Sequence, residues 1–214
     1  MKTIAVFGGT GGLGTKLVPL LRENYDVISL GSKDVDVINF YEVLNFFNEH
    51  DIDIVLNMCG KKFDILLNEI SDWDYESILQ MIDVNIMGNI NILAACLPKM
   101  IEKKYGKVIA ISSIFANMNV PKCGIYSASK TFLDRLMSSA NKENVKHGIT
   151  CNTIQLGYME YGMGERVDDK LKELAKNKIG LKRFGKIEEL KKTIDFIINN
   201  DYICGTVIKL DGGI

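Results

Sequence analysis

Proline is scarce in this chain, three in 214 residues. That leaves little room for linkers and reads as a single domain. Net charge is almost absent: 26 basic residues meet 27 acidic ones, for a formal −1. This excludes a general electrostatic attraction to nucleic acid or acidic membranes. No apolar run approaches the roughly 18 residues of a membrane-spanning segment. The opening "MKTIAVFGG" starts as a signal peptide does, but its apolar run meets glycine after four residues, as a buried first strand would. No C-x-x-C spacing relates Cys59, Cys96, Cys123, Cys151 and Cys204. A scattered, odd-numbered set excludes a disulfide or zinc framework and fits reduced core residues of a cytoplasmic protein. No metal site is expected, and neither internal repeats nor low-complexity segments occur.

What is there is ordinary in amount and ordered in arrangement. The chain is 47% hydrophobic and 25% charged, and long enough to bury roughly 70% of its unfolded surface. Short runs rich in Val and Ile, at Thr3–Phe7, Asp26–Leu30, Asp53–Met58, Gly106–Ser112, Ile149–Gln155 and Thr206–Leu210, read as strands buried on both faces of a parallel sheet. Helical patterns separate them at Gly12–Glu23, Tyr41–Glu49, Asp72–Lys103, Ile125–His147 and Ile187–Asn199. In the last, Ile187, Leu190, Ile194, Ile197 and Ile198 make one apolar stripe. The alternation predicts an α/β fold, a Rossmann-type doubly wound parallel sheet with right-handed crossovers. One connection is thin. Only "GSKDVD" separates Leu30 from Val37, too few residues for a crossover helix. The helix usual between the second and third strands is therefore missing or reduced to a turn.

"VFGGTGGLGTKL", Val6–Leu17, is crowded with glycine. It follows the first strand and opens the first helix, where bare N–H groups and the helix dipole make an anion site. Three glycine frames fit: Gly9-Gly11-Gly14, Gly8-Gly11-Gly14 and Gly8-Gly12-Gly14. The first expects an acid about 20 residues on, to hold a ribose 2′-hydroxyl. Gly31 stands there instead, followed by Ser32 and Lys33, with no carboxylate expected to face the 2′ position. A hydroxyl and an ammonium favour the 2′-phosphate of NADP(H), with NAD(H) left open.

A second cluster lies in "ISSIFANMNVPKCGIYSASKTFLDRL". Tyr126 and Lys130 share a helix face, and Ser113 precedes them by thirteen residues. An ammonium about 4 Å from a phenol contributes roughly 4 kcal/mol at an effective dielectric near 20. That lowers a tyrosine pKa by up to about three units, towards neutral proton transfer. Ser113 is placed to hydrogen-bond the same carbonyl oxygen.

With these motifs the chain resembles a short-chain dehydrogenase/reductase, of the short form that includes the β-ketoacyl carrier-protein reductases. Gly8, Gly12 and Gly14 match the family's T-G-x-x-x-G-x-G loop, with Phe7 in place of Thr. Asp36-Val37 resembles the step that meets adenine. "NMCG", Asn57–Gly60, resembles N-N-A-G. "DVNIMG" carries Asn85, matching the asparagine of the Asn-Ser-Tyr-Lys tetrad. "KRFGKIEEL" and "GTVIKLDGG" match the segments after the substrate lid and at the last strand. Leu156-Gly157 replaces Pro-Gly, and Tyr161 replaces a nicotinamide-contacting Thr.

The resemblance implies four catalytic residues, Asn85, Ser113, Tyr126 and Lys130, with the Asn85 carbonyl holding a water on the lysine. It implies a cofactor site made of Gly8, Thr10, Gly11, Gly12, Leu13 and Gly14; Ser32 and Lys33; Asp36 and Val37; Asn57, Cys59 and Gly60; Tyr126 and Lys130; and Gly157 and Met159. The expected activity is an NADP(H)-dependent carbonyl reductase or alcohol dehydrogenase. Its substrate is a small carbonyl or alcohol compound, an acyl thioester by family resemblance, with a keto sugar left open. Nucleotide-sugar epimerases or dehydratases would need a C-terminal domain for which the chain has no room, and non-catalytic regulators tend to lose the tyrosine or lysine. A short lid is expected near 158–180. Tyr158, Met159, Tyr161 and Met163 lie at its base, and Arg166 or Lys170 is available to an anionic group. A homodimer or homotetramer, paired through the two long helices, is expected.

Overall fold

Six runs of β-branched and apolar residues pair into one fully parallel sheet. The structure is a computed structural model that describes residues 1–162 and 169–214. Met163, Arg166 and the middle of the expected lid lie outside the described residues. The strands are β1 (Thr3–Phe7), β2 (Asp26–Leu30), β3 (Ile54–Asn57), β4 (Gly106–Ser113), β5 (Ile149–Leu156) and β6 (Val207–Leu210). Their order is β2-β1-β3-β4-β5-β6. The order reverses between β1 and β3, where ligands of open α/β sheets bind beyond the carboxyl ends of the strands.

Alternation along each strand feeds two cores. Ala5, Phe7, Val55, Val108 and Cys151 face one side. There they meet Val43, Phe46 and Phe47 of α2 (Phe40–Glu49), Ile92 and Cys96 of α4 (Gly88–Lys103), and Leu133 and Met137 of α5 (Gly124–Asn144). Ile4, Val6, Leu56, Ile109 and Ile154 face the other, against Leu17 and Leu21 of α1 (Gly14–Leu21) and the predicted stripe of α7 (Ile187–Ile198). Each such side chain contributes about 1.5–3 kcal/mol by leaving water. Of the cysteines, Cys96, Cys123 and Cys151 are buried and Cys59 half-buried. Cys204 is exposed, against the expectation of a core residue.

The thin connection is a turn. The N–H groups of Asp34 and Val35 both donate to the Gly31 carbonyl. No strand follows it. Asn91 of α4 donates to the carbonyls of Val37 and Ile38, at 3.0 and 3.2 Å, and so satisfies backbone that a further edge strand would pair.

The Asp72–Lys103 pattern is three pieces in one run: α3 (Asp72–Ile82), a π-turn (Asp83–Met87) and α4. Ser71 and Asp74 form a capping box at its start. By length and composition this run passes for a membrane span, with mean hydropathy 1.3 over its most apolar window, contrary to the expectation from sequence. Here it packs on the sheet with 44% of that window buried, and its Asn85, Asn89 and Asn91 are buried too. A further helix, α6 (Asp169–Lys178), lies in the stretch expected to form the lid.

Candidate active site

The glycine loop is shaped by contacts no side chain would tolerate. A Cβ on Gly14 would stand 2.5 Å from the Gly8 carbonyl oxygen. Gly8 has φ +80°, and its Cβ would meet the Met58–Cys59 peptide at 3.1 Å, so β1 and β3 close together behind the loop. Gly8 and Gly9 donate to the Leu30 carbonyl, and Gly11 donates to Gly8. Among the described residues, the Gly12 and Leu13 N–H groups have no main-chain acceptor. They lie at the N-terminus of α1, where an anion is favoured. Gly12 packs on Gly162, whose Cα lies 3.0 Å from a Cβ built on Gly12. Lys16 lies 5.3 Å over the Tyr161 ring. The base of the expected lid therefore rests on this loop.

At the end of β2, Thr10 occupies the space a side chain at position 31 would take; a Cβ on Gly31 would meet its Oγ1 at 2.2 Å. Ser32 and Lys33 are exposed beside it. A carboxylate does reach this place. Asp34 folds back and accepts from the Gly31 N–H at 2.7 Å, a contact that sequence spacing alone does not disclose. Asp36 accepts from the Ile38 N–H and acts electrostatically on Cys59. Val37 instead packs inward, against Gly88.

Beyond β3 the four candidate catalytic side chains converge. Asn57 accepts from the Cys59 N–H at 2.9 Å and donates to Asn89 at 2.7 Å, which fixes the turn to Gly60. Asn89 in turn donates to the Asn85 carbonyl at 2.8 Å. The π-turn places Asn85 there, as such turns often do at functional sites. Asn85 bonds Ser129 at 3.0 Å and both polar groups of the Lys61 backbone. The Asn85 carbonyl expected to hold water is thus already bonded on one lone pair. Asn89, which sequence reading passed over, is the residue that holds it.

Lys130 is buried, and its Nζ donates to the Ile111 carbonyl at 2.8 Å. A Cβ on Gly60 would stand 3.3 Å from that Nζ. Burial lowers the Lys130 pKa to about 8, against Asp134 and Cys59, which raise it. Tyr126 is buried among Ile65, Met81 and Phe115. Burial raises its pKa, the Ser113 hydroxyl beside it lowers it, and Cys123 raises it further. The Lys130 Nζ lies 5.9 Å from the Tyr126 ring centroid and donates to the Ile111 carbonyl, so Ser113 is the group seen here to favour the phenolate.

Gly157 and Met159 follow β5. Gly157 allows close approach of Asp211, whose Cα lies 2.7 Å from a Cβ built there. The Met159 side chain is buried in the second core and its backbone bridges Gly185. Tyr158 stacks on Phe184 with ring centroids 5.9 Å apart. Among the described residues no group of His, Cys, Asp and Glu could hold a metal.

A glycine loop at the sheet's switch point, a buried tyrosine beside a serine, and a buried lysine one turn on make up the candidate site of this α/β fold. Residues 35–214 match the family described as enoyl-(acyl carrier protein) reductase. The chain is 29% identical over 237 residues to the 3-oxoacyl-(acyl-carrier-protein) reductase of Rickettsia typhi, covering 99% of this chain and 96% of that one. It is also 29% identical to carbonyl reductase family member 4 of Xenopus laevis, over 100% and 98% of the two chains. A solved structure described as ElxO with NADP bound superposes with a TM-score of 0.87 at 21% identity, over 99% of this chain and 97% of that one. The chain belongs to the short-chain dehydrogenase/reductase family, and it is an oxidoreductase of that family.

Proposed function

We propose that the chain is an NADP(H)-dependent carbonyl reductase in which Tyr126 holds the transferred proton. The observation that carries this is the Ser113–Tyr126 pair standing beside the buried Lys130 ammonium, at the carboxyl end of the sheet. The cradle fits a dinucleotide. The Gly12 and Leu13 N–H groups suit a pyrophosphate, Asp36 an adenine amine, and Lys130, beneath Gly60, ribose hydroxyls. When bound, the nicotinamide supplies or accepts a hydride. Ser113 orients the carbonyl oxygen and eases ionisation of Tyr126. Tyr126 gives its hydroxyl proton to that oxygen, and Asn85 holds the Gly60–Lys61 turn against Lys130.

Support for the 2′-phosphate comes from Ser32 and Lys33, set against the one carboxylate that the turn brings near, Asp34. Calorimetric titration is expected to show tighter NADPH than NADH binding, with Lys33→Ala weakening NADPH alone. Equal affinities overturn the preference. The relatives named as 3-oxoacyl-(acyl-carrier-protein) and carbonyl reductases support a 3-oxoacyl thioester or a small ketone as substrate, to be sorted by NADPH absorbance loss over a panel of both. Residues 158–180 serve as its short lid. The five free cysteines support a cytoplasmic setting. A homo-oligomer is supported by exposed Tyr75, Leu79 and Met87 along α3 and the π-turn, and by Phe196, Tyr202 and Val207 near β6. Light scattering that gives a monomer at micromolar concentration removes that part of the reading.

A further inference from the structure

Lys61 and Lys62 follow the Gly60 turn and take no part in the proton chemistry above. Asn85 fixes the Lys61 backbone from both sides, at 2.8 and 2.9 Å. The Lys61 ammonium is turned outward to Gln80, at 2.7 Å. Lys62 goes the other way. Its Nζ lies 6.0 Å from the Phe115 ring centroid. Phe115 in turn meets Tyr126 and Tyr158 edge-on, at 6.1 and 6.2 Å between centroids. Burial raises both the Cys123 thiol and the Tyr158 hydroxyl, and the Lys62 charge opposes each. This ammonium therefore stands one aromatic ring from the Tyr126 phenol.

Its partner is placed unevenly. Lys62 pairs with Asp64, but the Lys62 side chain is only 23% exposed and that of Asp64 is 59% exposed. A shielded ammonium needs a counter-charge. An exposed carboxylate two residues along contributes little; its further contact is with the weakly donating Cys123 thiol, at 3.7 Å, so it can yield to another anion.

We propose that Lys62 is the substrate-anion receptor of this site, and that the substrate is a compact oxo acid whose carboxylate replaces Asp64 on Lys62. Phe115 and Tyr158 pack its apolar body, and the carbonyl lies at Ser113 and Tyr126. The carboxylate is bound and unchanged. The inference rests on the reductase reading for the position of the carbonyl, and it narrows the substrate from thioesters and ketones in general to oxo acids.

The test separates binding from turnover. Mandelate and 3-hydroxybutyrate, hydroxy-acid forms of such substrates, are titrated calorimetrically into wild type and three variants. Lys62→Met is expected to weaken binding about 10-fold or more, the loss of one charged hydrogen bond. Lys62→Arg should restore it to within about 3-fold. Asp64→Asn, which removes the competing carboxylate, should tighten it about 3-fold, a gain that misfolding cannot imitate. In parallel, kcat/KM is measured for phenylglyoxylate and its neutral methyl ester, and each variant is compared by the acid-to-ester ratio, so that intrinsic differences between the two compounds cancel. The acid-to-ester ratio should fall about 10-fold or more in Lys62→Met and hold in Lys62→Arg. Absence of hydroxy-acid binding in wild type, or equal binding in wild type and Lys62→Met, overturns the anion site. So does reduction of acid and ester with one ratio in both proteins, which leaves the reductase standing. The expected binding pattern without reduction of either compound sustains the anion site and overturns the oxo acid as substrate.

Discussion

Replacing Lys130 by methionine tests whether a charge needed by the site is held there against the stability of the fold. Lys130 is 4% exposed. Burial brings its pKa from 10.5 down to about 8, despite the opposing pull of Asp134 and Cys59. The folded value thus lies below the unfolded one. Between them the unfolded chain keeps a proton that the folded chain has released, so stability rises with pH. Below about pH 8 both states are protonated and the full penalty is present; above the unfolded value it is gone. At about 1.4 kcal/mol per pH unit the whole interval amounts to about 3 kcal/mol. From pH 7.5 to 9.5 about 2 kcal/mol of it is recovered, somewhat less because the Ile111 hydrogen bond favours the ammonium. The wild-type profile alone mixes in groups of opposite sign. Burial raises Cys59, Cys151 and Tyr25 to about 12, and groups with raised folded values lose stability as pH climbs past their unfolded values. Lys130→Met keeps those groups and removes the amine. Urea unfolding of both proteins at the two pH values should show wild type gaining about 2 kcal/mol on the variant. A difference that is flat in pH, or that grows in favour of methionine, refutes the reasoning.

Tyr126→Phe should leave folding and NADPH affinity intact and lower turnover by about 10²–10⁴-fold; a near wild-type rate on the best substrate removes the mechanism. Asn91→Ala should cost about 1–3 kcal/mol in urea unfolding, because the buried hydrogen bond to the Val37 carbonyl is lost, and should weaken adenine binding with it. Gly14→Ala should destabilise by about 1–3 kcal/mol and abolish dinucleotide binding in calorimetry, since its Cβ would stand 2.5 Å from the Gly8 carbonyl.

The sheet and the four converging residues were legible because their signals are local. Each strand is a short β-branched run, and Ser113, Tyr126 and Lys130 sit on one strand end and the helix after it. Boundaries shifted by a residue or two, as with α1, which begins at Gly14 rather than Gly12. What could not be read depends on side-chain direction. Spacing places Met159 near the site; only its burial in the second core shows where its side chain lies. The same spacing suggests that Lys130 addresses Tyr126, whereas its long stem delivers the ammonium to the Ile111 carbonyl. The π-turn is invisible to a period of 3.6 because it is one residue of slippage, and Asn89 matters only because of that slippage. Asn91 reads as a polar interruption of an apolar helix. Its use, holding the Val37 and Ile38 backbone after the turn, appears only once the turn is known.

The turn after β2 changes what the molecule shows to its neighbours. With nothing beyond it in the sheet order, β2 is an outer edge, and an unpaired parallel edge is a template for another chain. Several features blunt it. The strand is five residues long and begins with an exposed aspartate, Asp26. At its far end Asp34 caps the Gly31 N–H, the next donor an incoming strand would seek, and Lys33 stands exposed beside it. The turn that shortens the chain at the proposed ribose site thus also keeps the sheet from growing. Substitutions that retune cofactor choice at Lys33 or Asp34 will therefore be felt in solubility, and turbidity at high protein concentration is a measurement to set beside affinity for every such variant.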